Sequence, residues 1–310
     1  EAARAVRAQG VDLWRNHSQR LQELRAELEA EALLRADIVV CTCSAAGDSS
    51  MAVRRFRHCL VDEAGQAMEA DVLVAVTKGV QCLALYGDHR QLGPTVLDEA
   101  CARAGLSTSL FTRMYHAGLV PYRLTEQHRM HPALAELPSE LFYESSLTSY
   151  HTARSCTPTS VSFPWPDASR PHMFIHVPSR DTRGAGGKSY VNAHESQVTC
   201  AVVRKLIENG VDGASIGVIT PYKGQCLMLQ LLFQNLHLSV EIATVDSFQG
   251  REKDYIVISC VRANENGVLG FLRDERRFNV AVTRMKYGLI LIGDERTVRQ
   301  YKPTWGTLLE

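Results

Sequence analysis

The chain has 310 residues, 45% of them hydrophobic and 22% charged, which is ordinary for a soluble globular protein and long enough for two domains. Its formal net charge is zero, which excludes a general attraction to nucleic acid, so any such binding must come from local patches. Nine cysteines without a Cys-x-x-Cys pair argue against a zinc ribbon or a secreted disulfide framework, and no apolar run approaches the roughly 18 residues of a membrane span.

Apolar runs and helical patterns alternate along the chain. Residues 18–36 carry leucines at 21, 24 and 28 among alternating charges, which predicts an amphipathic helix. Runs rich in Val, Ile and Leu predict strands buried on both faces of a parallel sheet, at 38–43, 58–62, 82–87, 172–177, 215–220, 240–245, 254–260 and 288–293. Helical patterns lie at 66–77, 107–117, 132–143, 192–209, 222–235 and 274–285. The alternation predicts a doubly wound α/β architecture, which we divide near residue 120 into domains 1–120 and 121–310.

Residues 184–190, GAGGKSY, look like a phosphate-binding loop. The full pattern, G-x-x-x-x-G-K-S/T, requires glycine at the position of Thr182. The match is therefore incomplete, and we do not expect this stretch to bind ATP.

Acidic residues end the strand predicted at 58–62. Asp62 and Glu63 lie at its carboxyl end, where parallel α/β sheets bind their ligands. Aspartate there suits Mg²⁺, and the neighbouring glutamate suits polarising the water that attacks a γ-phosphate. The alternative is that the pair caps the next helix, since acidic residues favour helix N-termini.

Polar and basic residues occupy two later loops. Gln91 lies just past the third predicted strand, where an amide senses a γ-phosphate or orients water, unless it is an ordinary polar loop residue. Arg129 precedes a helix opened by Pro132, and its guanidinium suits phosphate contact from a facing domain. His128 and His131 have the spacing of metal ligands, but no cysteine or third ligand is in register, so we expect no metal there.

The last third of the chain adds a glycine, an acid and two arginines. Gly250 allows close backbone approach, and Glu252 suits a ribose hydroxyl. Arg277 and Arg284 are seven residues apart, on one face of the last predicted helix. That face is either a solvated basic stripe or the site of a second phosphate-sensing arginine.

In this order, these segments resemble superfamily 1 helicases of the up-frameshift type. The resemblance is carried from about residue 36 to residue 294 by ADIVVCTCSAAGD, LVDEAGQA, GDHRQLGP, GLSTSLF, QHRMHPAL, FYESSL, VITPYKGQ, VDSFQGREKD, SCVRANE and FNVAVTR. It implies two RecA-like parallel-sheet domains of the P-loop NTPase fold, the first incomplete. ATP is expected between them and single-stranded nucleic acid across both.

The resemblance also assigns roles. Asp62 and Glu63 form the Mg²⁺-binding and water-activating pair, and Gln91 couples the γ-phosphate to RNA. Arg129 and Arg284 contact phosphates from the second domain. Cofactor-binding positions further include Gly250, Glu252 for the ribose and His128 for stacking on adenine. Residues matching segments that grip the nucleic-acid backbone are Thr42, Ser44, Thr220, Pro221, Tyr222, Lys223, Asp246 and Ser247.

Hydroxyls, backbone amides and one lysine suit contacts with phosphate and sugar, which carry no sequence specificity. The alternative for TPYKG is an ordinary strand-to-helix turn that begins with proline.

The sequence departs from the family pattern in three ways. His128 replaces a tyrosine and stacks more weakly, and Gly65 stands where a small or hydroxyl residue is usual, a change that we expect to be tolerated. Residues 1–61 contain only Gly10 and Gly47 and no G-K-S/T, so we expect the phosphate loop upstream of residue 1 and background ATP hydrolysis by this chain alone. In the family, a Gly-x-Ser-Tyr-x-Asn stretch precedes a second-domain helix, so we interpret GAGGKSY as a loop and helix start.

The resemblance thus predicts an ATP-dependent RNA helicase or translocase of the nonsense-mediated mRNA decay type. Its cofactors are ATP and Mg²⁺. Its expected partners are single-stranded RNA, or DNA, and mRNA-decay surveillance factors, with no membrane. We expect a cytoplasmic monomer. Two alternatives stay open: a DNA- or tRNA-associated superfamily 1 helicase, and a non-catalytic RNA-binding scaffold.

Overall fold

The chain divides into two compact units. The computed structural model describes residues 2–158, 160–184, 186–187 and 189–309, with side chains from Trp14 onward. One unit comprises the chain up to His89 together with Gly93–Val120. The other comprises Arg90–Leu92 and the chain from Pro121 onward.

The first unit has a small parallel sheet. Its elements are α1 (Ala2–Arg35), β1 (His58–Val61), α2 (Glu69–Val76), β2 (Cys82–Leu85), α3 (Glu99–Cys101) and α4 (Leu110–His116). Strands β1 and β2 pair in parallel, with Val61 opposite Leu85. A small core forms where Val61 packs with Ala64, Val72 and Leu110.

Two strand predictions fail in this unit. Residues 38–43 form no strand, and Ile38 and Val40 are 82% and 92% exposed. A strand needs a neighbour for its ladder, and among the described residues β1 and β2 pair only with each other. Burial on both faces is also wrong here, since Leu60 of β1 is 67% exposed.

Helix α1 is longer than predicted and packs less. Its predicted apolar face is largely exposed, with Leu21 at 60% and Leu28 at 65%. Its C-terminal end is held by Arg54, whose Nη1 donates to the carbonyl oxygens of Leu33, at 2.9 Å, and Ala36. None of the described helices combines the length and apolar character that crossing a membrane requires.

The second unit is built on a larger sheet. Its strands are β3 (Glu126–Gln127), β4 (Thr148–Ser149), β5 (His172–His176), β6 (Thr182–Arg183), β7 (Tyr190–Val191), β8 (Ile216–Thr220), β9 (Glu241–Thr244), β10 (Lys253–Ser259) and β11 (Met285–Gly293). Its helices are α5 (Pro132–Phe142), α6 (Ala193–Glu208), α7 (Lys223–Asn235), α8 (Val245–Phe248), α9 (Glu275–Ala281) and α10 (Glu295–Val298). Five strands form an all-parallel sheet in the order β5-β11-β10-β8-β9.

Alternate residues of the central strands enter two separate cores. Ile256 and Ile258 of β10 pack in one core with Phe142 and Phe278, from α5 and α9. Tyr255 and Val257 of the same strand pack in the other core with residues of α6 and α7, such as Leu206 and Leu229. This two-residue period buries both faces of the sheet, as the sequence predicts.

The last predicted helix ends earlier than expected. Helix α9 stops at Ala281, and β11 begins at Met285. Arg284 therefore lies beyond the helix, and the prediction that it shares a helix face with Arg277 is wrong. Arg277 is not part of a solvated basic stripe either, since it pairs with Asp246 and Asp274, at 2.9 and 2.8 Å.

The described residues of GAGGKSY lie in and just before the second strand of a hairpin. Strands β6 and β7 pair antiparallel, with Arg183 opposite Tyr190. Helix α6 begins only at Ala193. Ala185 and Lys188, which the phosphate-loop comparison rests on, lie outside the described residues.

Candidate functional site

The acidic pair forms an exposed turn directly after β1. Glu63 has φ 49°, a left-handed conformation that is strained for a residue with a side chain. Asp62 Oδ1 accepts the Glu63 backbone N–H at 2.9 Å, and Gln66 Nε2 donates to Glu63 Oε2 at 3.0 Å. The pair does not cap the next helix, because α2 begins at Glu69. Local strain at a strand end is typical of functional positions.

Two glycines let this turn pack on the chain that follows β2. The Ala64 N–H donates to the Tyr86 carbonyl at 2.7 Å. A β-carbon at Gly87 would lie 2.7 Å from Gly65 N, and one at Gly65 would lie 3.1 Å from Asp88 O. The backbones are therefore in close contact, which explains why position 65 holds a small residue.

Gln127 braces the backbone that carries Arg129. Its Oε1 accepts the N–H groups of Arg129, at 3.0 Å, and Met130, at 2.7 Å. Its Nε2 donates to the Met130 carbonyl at 2.8 Å. One amide side chain thus fixes two consecutive residues.

The Arg129 side chain is held by an acid and a carbonyl. Arg129 Nε lies 2.7 Å from Glu252 Oε2, and its Nη1 donates to the Thr283 carbonyl at 3.0 Å. Lys286 Nζ lies 3.1 Å from Glu252 Oε1. The bond from Arg129, with a further one from Lys286, holds the pKa of Glu252 below its ordinary value. Glu252 thus neutralises and orients cations, and its ribose role stays a prediction.

Arg284 is buried beside this pair, 3% exposed. Its Nε donates to the Val280 carbonyl at 3.0 Å, and its Nη2 contacts Thr283 Oγ1 at 2.7 Å and Gln91 Oε1 at 3.4 Å. Thr283 therefore links the two arginines, one through its carbonyl and one through its hydroxyl. The structure brings together four of the predicted ATP-site residues, three predicted for phosphate and Glu252 for the ribose. We call them the arginine cluster: Gln91, Arg129, Glu252 and Arg284.

The two histidines have different environments. His128 is exposed and stacks on Tyr150, with ring centroids 4.6 Å apart, and its Nε2 lies 3.0 Å from Glu126 Oε1. His131 is buried, and its Nδ1 accepts the Ala133 N–H at the start of α5. Burial lowers the pKa of His131. His131 is therefore the N-cap of α5, and this role explains why a histidine stands three residues after His128.

The predicted nucleic-acid-binding residues of the second unit lie at the carboxyl ends of two neighbouring strands of its sheet. Thr220–Lys223 follow the carboxyl end of β8, and Asp246 and Ser247 follow that of β9. These strands are neighbours, with Thr220 opposite Thr244. By contrast, the Arg284 carbonyl, just before β11, accepts the N–H of Lys253, the first residue of β10. The residues predicted to bind ATP phosphates and those predicted to bind the nucleic-acid backbone therefore lie at opposite ends of the parallel strands.

Their exposure divides them further. Lys223, Asp246 and Ser247 are exposed, as are Thr42 and Ser44 in the first unit, and Pro221 is half-buried. Thr220 and Tyr222 are buried.

The Tyr222 hydroxyl is engaged within the second unit. It accepts the Phe271 N–H at 3.2 Å and donates to the Leu269 carbonyl at 3.3 Å. Burial raises the pKa of Tyr222. Its hydroxyl thus holds the loop at residues 269–271, and its role in nucleic-acid binding stays a prediction.

Gly250 is explained by its conformation. Its φ is 76°, and a β-carbon there would meet nothing within 4 Å. The positive φ of this turn favours glycine, and the close approach of a ligand stays a prediction.

Sequence reasoning missed three residues of the arginine cluster's surroundings: Gln127, Thr283 and Lys286. The first lies two positions before Arg129, and the others flank Arg284 by one and two positions. Their closeness in sequence to Arg129 and Arg284 was the only signal that could have pointed to them. Nothing in the sequence showed that Glu252 would be the common partner of Arg129 and Lys286.

Comparison with known proteins gives a consistent set of relatives. Two protein-family profiles described as an AAA domain match residues 106–296 and residues 3–99. The ATP-dependent helicase NAM7 of Saccharomyces cerevisiae is 44% identical over 305 residues, 96% of this chain and 31% of that protein. Regulator of nonsense transcripts 1 of Caenorhabditis elegans is 44% identical over 289 residues, 91% of this chain and 27% of that protein.

A third relative, the ATP-dependent helicase upf1 of Schizosaccharomyces pombe, is 39% identical over 96% of this chain and 33% of its own length. The chain thus spans a third or less of these curated relatives. Among solved structures, the arterivirus nonstructural protein 10 helicase with DNA matches 80% of this chain and 42% of that chain, at 17% identity and a TM-score of 0.40.

Proposed function

This chain belongs to the AAA-domain superfamily 1 helicases of the up-frameshift type, with their RecA-like P-loop NTPase fold, and we propose that it supplies catalytic and RNA-binding residues to an ATP-dependent RNA helicase. The relatives are named as ATP-dependent helicases and regulators of nonsense transcripts. The activity belongs to the intact protein that contains this chain. We take its two units as the two RecA-like domains.

The arginine cluster is the observation that carries this proposal. Both arginines of the cluster contact Thr283, and Gln91 contacts Arg284. Such an arrangement suits a transferring phosphoryl group, because arginine neutralises phosphate charge through bidentate contacts. Bracing by Gln127 and Glu252 fixes Arg129 in advance, and such preorganisation makes electrostatic stabilisation effective. A scaffold that only bound RNA would have no need for this arrangement.

The acidic turn supplies the complementary chemistry. Asp62 is an exposed carboxylate with Oδ1 bound to the Glu63 N–H, and hard oxygen ligands of this kind suit Mg²⁺. No cluster of three or more metal-binding side chains occurs in the part of the chain that the structure describes. Mg²⁺ usually keeps several waters and needs only one or two carboxylates, so Asp62 fits. Bound Mg²⁺ would neutralise phosphate charge, while Glu63 orients and deprotonates the attacking water.

RNA is the nucleic acid that we propose for the carboxyl edge of β8 and β9. Exposed Lys223 and Ser247 there suit phosphate and sugar, which are read without regard to sequence. A relative named as a regulator of nonsense transcripts supports RNA as the substrate. We also propose surveillance factors as partners and the cytoplasm as the setting. We further propose that the protein acts as a monomer.

Turnover by the intact protein tests this function. Glu63→Gln should abolish RNA-stimulated ATP hydrolysis while ATP binding is retained, because the amide cannot accept the water's proton. Glu99→Gln is the matched control, an exposed acid of the same unit paired with Arg103, and should hydrolyse ATP at the wild-type rate. Poly(U) and poly(dT) compared as stimulants distinguish an RNA from a DNA helicase. Wild-type turnover by Glu63→Gln would exclude Glu63 from catalysis.

A further inference from the structure

The hairpin of β6 and β7 is attached to the turn that follows β8. Ser189 Oγ accepts the Gly224 N–H at 3.0 Å, in the first turn of α7. A β-carbon at Gly224 would lie 2.9 Å from Val191 Cγ1, so side chains of the hairpin pack closely on the start of α7. The residue before α7, Tyr222, makes no side-chain cap of its own. Ser189 therefore caps this helix from a distant part of the chain.

A second pair of bonds holds the end of the hairpin. The Asn192 N–H donates to Gln225 Oε1 at 2.8 Å, and Gln225 Nε2 donates to the Asn192 carbonyl at 3.1 Å. Both residues are buried. The hairpin is thus fixed beside Lys223, at the edge of the sheet where we propose that RNA binds.

Arg183 stands on this hairpin in a defined position. Its guanidinium carbon lies 4.2 Å from the centroid of the Tyr190 ring, and its Nη1 donates to the Gly187 carbonyl at 3.2 Å. Arg262 also contacts the Tyr190 ring, at 4.0 Å. Stacking on an aromatic ring and one carbonyl bond orient a guanidinium while leaving further N–H donors for a ligand.

The two guanidiniums on Tyr190 differ in their charge balance. Arg262 is buried and neutralised by Asp181, at 2.8 Å. Arg183 and Lys223 are exposed, and no carboxylate oxygen of the described residues lies within 4.0 Å of either. Nearby arginines are paired, Arg180 with Glu265 and Arg277 with Asp246. In a chain of zero net charge, two unneutralised cations joined by one packed contact make a local site for a polyanion.

We propose that the β6–β7 hairpin extends the RNA-binding surface of the second unit, with Arg183 binding a backbone phosphate close to the one held at Lys223. This rests on the proposed function, because the polyanion is taken to be the single-stranded RNA of that surface. A fork of N–H donors on a rigid hairpin suits phosphate oxygens. The contact is to the backbone, so it is independent of base sequence.

Binding of a labelled 15-nucleotide poly(U) oligomer to the 310-residue chain, measured by fluorescence anisotropy at several salt concentrations, tests this inference. Arg183→Gln should weaken binding several-fold at low salt. It should also lower the slope of log Kd against log salt by about 0.7, the value for one single-strand phosphate contact. Arg183→Lys keeps the charge and should keep most of that slope.

Arg170→Gln is the matched control. Arg170 is an exposed arginine that precedes β5 at the other edge of the sheet, and this variant should bind RNA as the wild type does. Thermal unfolding of each variant checks that the fold is intact. Wild-type affinity and slope in Arg183→Gln would overturn the inference alone, as would equal losses in the Gln and Lys variants. Failure of the unaltered chain to bind the oligomer at any salt concentration would overturn the RNA-binding proposal as well.

Discussion

At the scale of single residues, the notable feature is how Arg129 is held. Each carboxylate oxygen of Glu252 binds a cation: Oε2 binds Arg129 and Oε1 binds Lys286. The hydrogen bond that Lys286 donates to Glu252 also raises the pKa of Lys286, so the lysine stays charged. Lys286 thereby limits the positions that the carboxylate, and with it the guanidinium, can adopt.

We expect Lys286→Met to lower kcat of the intact protein about 10-fold with little change in the KM for ATP. The reason is that a guanidinium displaced by about 1 Å from its productive position loses transition-state contacts more than ground-state ones. Steady-state kinetics in saturating RNA provide the measurement. Lys286→Arg keeps the ion pair and should recover most of kcat. A methionine variant with unchanged kcat would show that Glu252 alone is enough to position Arg129.

The residue types of the arginine cluster could be predicted from sequence, and their contacts could not. Gln91 and Arg129 each stand near a strand end or a helix start, which the pattern of apolar residues reveals. Arg284 is predicted inside a helix, and the structure places it just before β11. The sequence suggests a ribose role for Glu252, which stays a prediction, but it does not reveal what Glu252 contacts. Its bond to Arg129 joins residues 123 positions apart, and such pairings depend on the order of strands in the sheet.

At the scale of elements, α6 is tied to the end of β10 by a buried carboxylate. Glu195 Oε2 accepts the Val261 N–H at 2.7 Å and the Ser259 hydroxyl at 2.8 Å. Val261 has φ 72°, a left-handed conformation that is rare for a β-branched residue. Asn192 Nδ2 donates to the Val261 carbonyl at 3.1 Å. Two side chains of α6 and its N-cap thus hold one strained peptide.

Burial gives Glu195 a pH signature. Removal from water raises its pKa from 4.5 to about 8, although hydrogen bonds from Val261 and Ser259 favour the carboxylate. The folded chain therefore binds a proton that the unfolded chain releases above pH 4.5. Its contribution to the free energy of unfolding is fully present below about pH 4.5 and is lost as the pH rises through about 8.

We expect Glu195→Gln to remove this contribution. Urea unfolding at a series of pH values should show wild-type stability falling between pH 4.5 and 8 relative to the variant, with the difference constant above pH 8. The glutamine variant is expected to be less stable than the wild type at pH 5, since its amide cannot match every donor around it. Parallel pH profiles for the two proteins would mean that Glu195 is ionised in the folded state.

Strand and helix predictions succeeded where tertiary contacts agree with local pattern. The predicted strands at 215–220 and 254–260 match β8 and β10 to within one residue at each end, since both are buried on two faces. The run at 38–43 is equally apolar but has no pairing partner among the described strands. The helix predicted over 274–285 ended early because β11 begins at Met285, which the apolar pattern of that region does not reveal.

At the scale of the whole molecule, each unit carries a different part of the proposed chemistry. The first has the acidic turn after β1, and the second has the arginine cluster at one edge of its sheet and the RNA-binding candidates at the other. Under the proposed roles, removing an arginine of the cluster leaves the proposed RNA contacts at the carboxyl ends of β8 and β9 in place. Loss of hydrolysis and loss of RNA binding are therefore separable by mutation.

The order of motifs along the chain was enough to predict this division of roles. The sequence places Asp62 and Glu63 before residue 120, and Arg129 and Arg284 after it. It could not reveal that Arg90–Leu92 belong to the second unit, where Gln91 contacts Arg284. That stretch follows β2 directly in the chain, so sequence position alone assigns it to the first unit.

The central claim is that the acidic turn of one unit and the arginine cluster of the other act in a single ATP hydrolysis step. A double-mutant cycle on the intact protein, with Glu63→Gln and Arg284→Ala, measures this through RNA-stimulated kcat. Removing a phosphate-stabilising arginine costs about 10³-fold or more. Residues that act as a unit are not additive, so the double variant should be about as slow as the slower single variant. Losses that multiply, or wild-type turnover in either single variant, would contradict the claim.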